Sequence, residues 1–155
     1  MREIHVSHHF AAPPETVFAA IADHERFLTM GSIRCRLQRE GTPERNGIGA
    51  VRQVEGDGLR FVEHITAFDA PRHYEYVIRS LARSNGAALP LRHERGWLDF
   101  TRDANGTRVD WHSRVHATIP LLGPLLIEPL VARKLQRAFS ALLSHAAARM
   151  IATPL

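Results

Sequence analysis

Cysteine is almost absent from these 155 residues: Cys35 stands alone. That excludes an internal disulfide and any zinc or iron–sulfur centre built from cysteines, and it fits a reducing compartment. Long apolar runs are missing too, since no stretch approaches the about 20 residues that a membrane-spanning helix needs. The opening Met1-Arg2-Glu3-Ile4-His5-Val6 moves straight into alternating sequence without the apolar run of a signal peptide. A cytoplasmic protein, neither secreted nor embedded in a membrane, is the expectation. Runs of basic residues are equally scarce. The formal charge is +4 and the pI about 10.2, but the arginines are scattered among Glu and Asp and no exposed aromatics interleave with them. A solvated basic face is therefore expected rather than a nucleic-acid interface. What remains is ordinary globular usage, 45% hydrophobic and 23% charged, in a chain long enough to bury roughly 70% of its unfolded surface. One domain over residues 1–155, monomeric or homodimeric and without a cofactor, is the expectation.

Ile4, Val6, His8 and Phe10 alternate with His5, Ser7 and His9, the period of a strand with one buried face. Pro13-Pro14-Glu15 opens a helix, because proline is tolerated in a first turn and an early carboxylate suits the helix dipole; Val17, Phe18 and Ile21 supply its stripe. Asp23 is placed to cap a second short helix from His24 to about Met30, which Gly31 would end. Ile33, Cys35 and Leu37 form a second strand before a loop over residues 41–49. Asp57-Gly58 and Asn105-Gly106 are type I′ turn signals, and as two-residue loops they set register. In the first hairpin Val54 faces Phe61, Arg52 faces Glu63 and Ala50 faces Ile65 on the core side. In the second, Trp111 faces Phe100, Ser113 faces Leu98 and Val115 faces Gly96 inside. Asp110, His112, Arg114 and His116 lie outside, opposite Thr101, Asp99, Trp97 and Arg95. A strand after Ala70-Pro71 turns Tyr74, Tyr76 and Ile78 inward, followed by a loop from about Leu81 to Leu91. Beyond Ala117 the period becomes 3.6. A Leu-rich segment from Pro120 to Glu128, broken by Gly123-Pro124, leads to a helix opening at Pro129. That helix carries Leu130, Leu135, Phe139, Leu142, Leu143 and Ala146 and runs to about Ile151.

Three stretches stand out in this order of elements. They are Phe10-Ala11-Ala12-Pro13-Pro14-Glu15-Thr16-Val17-Phe18, then Gly47-Ile48-Gly49-Ala50-Val51-Arg52 leading into Glu63-His64-Ile65-Thr66-Ala67-Phe68-Asp69-Ala70-Pro71-Arg72, and finally Gly106-Thr107-Arg108-Val109-Asp110-Trp111. Their order and spacing resemble the START-like superfamily, in particular its polyketide cyclase/dehydrase-like, lipid-binding group, over nearly the whole chain. The resemblance implies an α+β helix-grip fold: a seven-stranded curved antiparallel sheet wrapped around a long C-terminal helix, with two short helices between the first two strands. It also implies a small apolar ligand (a lipid, an aromatic polyketide or similar) held between sheet and helix. One departure is plain. Where relatives often carry a tryptophan shortly after the second helix, this chain has Phe27-Leu28-Thr29-Met30-Gly31.

Residues expected to line such a pocket are Arg52, Phe61, Glu63, Tyr74, Tyr76, Leu98, Phe100, Trp111, Ser113, Leu135 and Phe139. Arg52 opposite Glu63 puts a charged pair into an apolar layer, which costs desolvation. Either Arg52 anchors a ligand carboxylate or phenolate with Glu63 orienting it or acting as a base, or the two satisfy each other and pin register. The rings of Tyr74, Tyr76, Trp111, Phe61 and Phe100 either line the pocket or fill a core. His8, facing inward near Ser113, is either an acid/base group or a satisfied buried histidine. An enzyme of cyclase, dehydrase or aromatase type would use Arg52 against an enolate and Tyr76, Glu63 or His8 to move protons. Cys35 has no identifiable activating neighbour. His112 and His116 are four apart on a strand, about 13 Å, and cannot share one metal ion; no metal site is expected. With His5, His9 and Trp97 they form an outer patch, read as solvated surface, with a dimer interface, an adventitious metal site or a protein-interaction face near Trp97 as the alternatives.

Overall fold

The structure is a computed structural model and describes residues 1–152; the last three positions of the expected 1–155 domain lie outside the described residues. Its strands are β1 (Arg2–Phe10), β2 (Arg34–Arg39), β3 (Val51–Gly56), β4 (Leu59–Asp69), β5 (His73–Arg83), β6 (Leu91–Asp103) and β7 (Gly106–Ala117). They form one antiparallel sheet in the order β1-β7-β6-β5-β4-β3-β2. Helices α1 (Pro14–Ala22) and α2 (His24–Phe27) join β1 to β2, and the long α3 (Glu128–Ala152) packs on the inner face. This is the expected helix-grip architecture.

The curvature has local causes. An extra residue in one strand of an antiparallel pair bends it and increases its twist. Such irregularities fall at Gln38 in β2, at Thr66 in β4, at Arg79 in β5 and at Glu94 in β6. Each also reverses which face the residues beyond it occupy, a point that matters for His93 below.

The first hairpin follows its turn signal. Asp57 and Gly58 have φ of 51° and 76°, as a type I′ turn demands, and Val54 pairs with Phe61 and Arg52 with Glu63. The second hairpin is displaced from its expected register. Its loop is Ala104-Asn105, so Trp111 faces Leu98, Phe100 faces Val109, Ser113 faces Gly96, and His112 faces Trp97 rather than Asp99. Past the Glu94 bulge, Val115 faces His93 instead of Gly96. The Asp103 side chain is the reason: its Oδ1 accepts the Asn105 N–H at 2.9 Å, closing the turn one residue early. The positive φ then falls on Gly106, where a Cβ would lie 2.0 Å from the Phe10 carbonyl oxygen. Moving the turn by one shifts each pairing by two, so the inner and outer faces are preserved.

Other boundaries also differ. α2 stops at Phe27, with no side-chain cap from Asp23, and Met30 pairs with Ile33 across a tight turn at Gly31 instead of continuing the helix. β5 and β6 extend further, leaving residues 84–90 as the connection. Gly123-Pro124 does not break the approach to α3 but begins a π-helical turn, Gly123–Ile127, continuous with it. Within α3, Leu130 stands nine residues from Phe139, on the opposite side of a helix of about 3.6 residues per turn, and points outward, while Ala132, Phe139, Leu142, Leu143 and Ala146 face the core.

A cavity between sheet and helix

Between α3 and the sheet lies a cavity of about 210 Å³. Val54, Phe61 and Ile78 wall it from the sheet, and Val131, Leu135, Phe139 and Leu142 from the helix. An apolar protein cavity of about 150 Å³ accommodates benzene, so this one has room for a somewhat larger guest. Exposed Asp57, Arg92 and Lys134 also line it, beside Leu89 and Leu91 from the β5–β6 connection, and mark its outer end.

The inner wall is aromatic and hydrogen-bonded. Trp111 stacks on Phe139 with ring centroids 3.9 Å apart, tying β7 to α3. Its Nε1–H donates to the Tyr76 hydroxyl at 2.9 Å. The Tyr76 ring lies against β6 where Gly96 pairs with it; a Cβ there would sit 2.2 Å from the ring. The ring also meets His93, with centroids 5.3 Å apart and nearly parallel planes.

His93 has a defined tautomer. Its Nδ1 accepts the Ile78 backbone N–H at 3.0 Å, so the proton resides on Nε2 and is donated to the Ser113 Oγ at 3.1 Å. Burial pushes its pKa down to about 4, which keeps the ring neutral near pH 7. Because Nδ1 is occupied, His93 cannot serve Ser113 as a base. It holds the hydroxyl oxygen instead and leaves the hydroxyl proton free, at a position that lines the cavity.

Arg52 lies deeper, beneath Tyr76, with its Cζ 5.1 Å from that ring's centroid. Its Nε donates to Glu63 and its Nη1 to His24 Nδ1, the latter at 2.5 Å. His24 Nε2 in turn donates to the Asn46 carbonyl at 3.0 Å. Burial, reinforced by the Arg52 charge, holds His24 well below the usual imidazole range. Burial opposes the Arg52 charge as well, but the Glu63 carboxylate outweighs it and keeps the guanidinium protonated. Burial pushes the Tyr74 hydroxyl up to about 12, against the opposing pull of the nearby Arg52 guanidinium.

The site is thus a mostly apolar cavity with few polar groups, enclosed by a curved sheet and a long helix. The family model described as polyketide cyclase / dehydrase and lipid transport matches residues 1–150. The chain belongs to that family. Membership and fold together support a ligand-binding role. No curated protein matches the chain. Among solved structures it is similar to TTHA0849 from Thermus thermophilus, at 21% identity over 97% of this chain and 98% of that one, with a TM-score of 0.73. Ms6760 from Mycobacterium smegmatis is 18% identical over 98% and 92% of the two chains, with a TM-score of 0.68. Ara h 8.0201 is 16% identical over 95% and 98%, also at 0.68. At these identities the likeness establishes the fold.

Of the residues singled out from sequence, Phe61, Glu63, Tyr76, Trp111, Ser113, Leu135 and Phe139 line the cavity. Arg52, Tyr74, Leu98 and Phe100 do not. Tyr74 and Phe100 pack with Phe18 under α1, Leu98 is fully buried in the core, and Arg52 is enclosed by its own partners. His8 pairs with Val109 and rests against Phe10, whereas Ser113 pairs with Ile4, so His8 and Ser113 are not neighbours. Two polar residues went unrecognised. His93 has outer-face parity with Arg95 and Trp97 until the Glu94 bulge turns it inward, and nothing in the sequence announces that bulge. His24 was legible: it shares a helix face with Phe27 and Leu28, at the spacing of a buried stripe.

On the outer face His5, His112 and Trp97 form a continuous stack, with centroid separations of 4.2 and 4.6 Å. Arg95 and Arg114 lie over the indole at 4.5 and 5.1 Å. The polar groups here are paired with one another, Arg95 with Glu75, Arg114 and His112 with Glu3, and His5 with Asp110.

Proposed function

We propose that this chain binds a small, largely apolar ligand carrying one hydrogen-bond-accepting oxygen, seated between the sheet and α3 with the Ser113 hydroxyl donating to that oxygen. One observation carries the reading: the His93 tautomer leaves the Ser113 hydroxyl proton uncommitted on a wall made mostly of apolar side chains. A ligand acceptor there satisfies a polar group that a hydrocarbon would leave unpaired. The cavity volume of about 210 Å³ favours a guest of about eight to ten non-hydrogen atoms, on the scale of benzene in about 150 Å³. A carrier role fits better than catalysis, because Arg52 and Glu63 are committed to each other and the Tyr76 hydroxyl oxygen already accepts the Trp111 N–H.

The matched pair 1-indanone and indane tests this, read by quenching of Trp111 in a Trp97→Phe background. Both should bind saturably. Ser113→Ala should weaken indanone by about two- to tenfold, the range of one net hydrogen bond, and leave indane unchanged. Absence of saturable binding by either compound, or equal effects of Ser113→Ala on both, contradicts the reading.

A further inference from the structure

Between β7 and α3 the chain leaves the sheet and returns through residues 118–127, and its apolar side chains turn outward. Leu121, Leu122, Leu125, Leu126 and Leu130 are 58–80% exposed. Contiguous exposed apolar surface of this kind marks an interaction site. The segment is tied in place. Buried Glu128 accepts the Ala117 N–H at 3.0 Å, joining its two ends, and the Gly123 N–H donates to the Ile119 carbonyl at 3.0 Å.

Two further observations identify what covers it. The patch adjoins the cavity: Val131, next to Leu130, lines the cavity, and the Thr118 N–H donates to the Pro90 carbonyl at 2.9 Å, between the cavity-lining Leu89 and Leu91. The second is charge. Exposed Arg133, Lys134 and Arg137 follow Leu130 at spacings of three, four and seven, on the same side of α3. From residue 118 to residue 152 the sole acid is the buried Glu128. An apolar tip with a cationic collar suits a segment that enters the boundary between headgroups and acyl chains, while long basic side chains reach the headgroups.

We propose that the 118–130 segment and the adjoining turns of α3 form a docking surface for an anionic lipid bilayer, which sets the cavity mouth against the membrane. No helix among the described residues is long and apolar enough to cross a membrane, so the association is peripheral. A second copy is a poorer occupant, since two-fold pairing brings like-charged collars together. Docking rests on this surface alone; exchange of a ligand with the bilayer rests in addition on the cavity reading above.

Flotation of the full chain with vesicles of phosphatidylcholine, with and without about 30% phosphatidylglycerol, tests the proposal. Binding is expected to the anionic vesicles and to weaken at high salt. Arg133→Gln and Arg137→Gln should each reduce partitioning about fivefold, the effect of one surface charge. The combined Leu121→Ser, Leu125→Ser and Leu126→Ser variant should reduce it at least tenfold while keeping the wild-type circular dichroism and melting temperature. Its indanone affinity, measured without vesicles, should be unchanged, which separates failure of docking from failure of the cavity reading. No binding to either vesicle overturns the proposal, as does binding indifferent to the leucines. So does a dimer in sedimentation equilibrium that the same leucine variant dissociates, since the patch would then be covered by a second copy.

Discussion

Lowering the pH from 7.5 to 5 should destabilise the fold through its buried neutral histidines. His93 has a pKa near 4 in the folded chain, against about 6.5 when unfolded. A folded-state value below the unfolded one means that the contribution is complete above about pH 6.5 and is lost as the pH falls toward 4. At pH 5 the unfolded imidazole is almost fully protonated and the buried one is not, a difference of about 2 kcal/mol for His93 alone. That is a large share of a domain stability of about 5–15 kcal/mol. His24, lowered by burial and by Arg52, acts in the same direction. His73 acts in the opposite one: burial lowers its pKa, but hydrogen bonds to Asp99 and Glu75 outweigh that and raise it. Its contribution is full below about pH 6.5 and fades at higher pH. His93→Asn isolates the first effect, because the Asn side-chain oxygen can still accept the Ile78 N–H but does not titrate. Urea unfolding at both pH values, with matched m-values, should show wild type losing about 2 kcal/mol more than His93→Asn. Equal losses in the two proteins refute the reasoning.

Gly96→Ala drives a methyl into the Tyr76 ring and should cost about 1–3 kcal/mol, as overpacking does, with a changed Trp111 emission as its hydrogen bond to Tyr76 is displaced; an unaltered melt and spectrum would show that the ring moves freely. Glu63→Gln strands the buried Arg52 charge and should cost about 3–5 kcal/mol, whereas the double replacement Arg52→Met with Glu63→Leu should cost far less. Denaturant titration decides between them, and a single variant as stable as wild type would mean that the pair is not enclosed as described. The Cys35 thiol, pushed up to about 12 chiefly by burial, should resist an aromatic disulfide reagent at pH 8 until urea unfolds the chain. Prompt labelling of the native protein would contradict its burial.

How far the fold was legible depended on how local its determinants are. Asp57-Gly58 imposes positive φ on two adjacent residues, which leaves β3 and β4 one register and brings Arg52 opposite Glu63. Asn105-Gly106 carries the same signal, but Asp103 competes for the Asn105 N–H and the turn closes one residue earlier. The error spared the faces, since pairing moved by two, and cost only the identity of partners such as Trp111 with Leu98. The Leu-rich approach to α3 was visible as composition. That its leucines point outward was not, because helical phase there is set by the π turn at Gly123–Ile127.

By itself the sequence determined the order of elements and the inward set of Phe61, Glu63, Tyr76, Trp111 and Phe139, because alternation, turn chemistry and helical period act over a few residues; the helix-grip architecture followed from the family resemblance that this order carries. Only the tertiary structure decided which inward residues meet a void and which meet each other. Arg52 finds His24 from 28 positions away, Trp111 finds Tyr76 from 35, and His93 finds Ser113 from 20. Side-chain pairing over such separations is set by how strongly the sheet bends and where α3 lands on it. Four single-residue bulges contribute to that bending, and no periodic pattern records them.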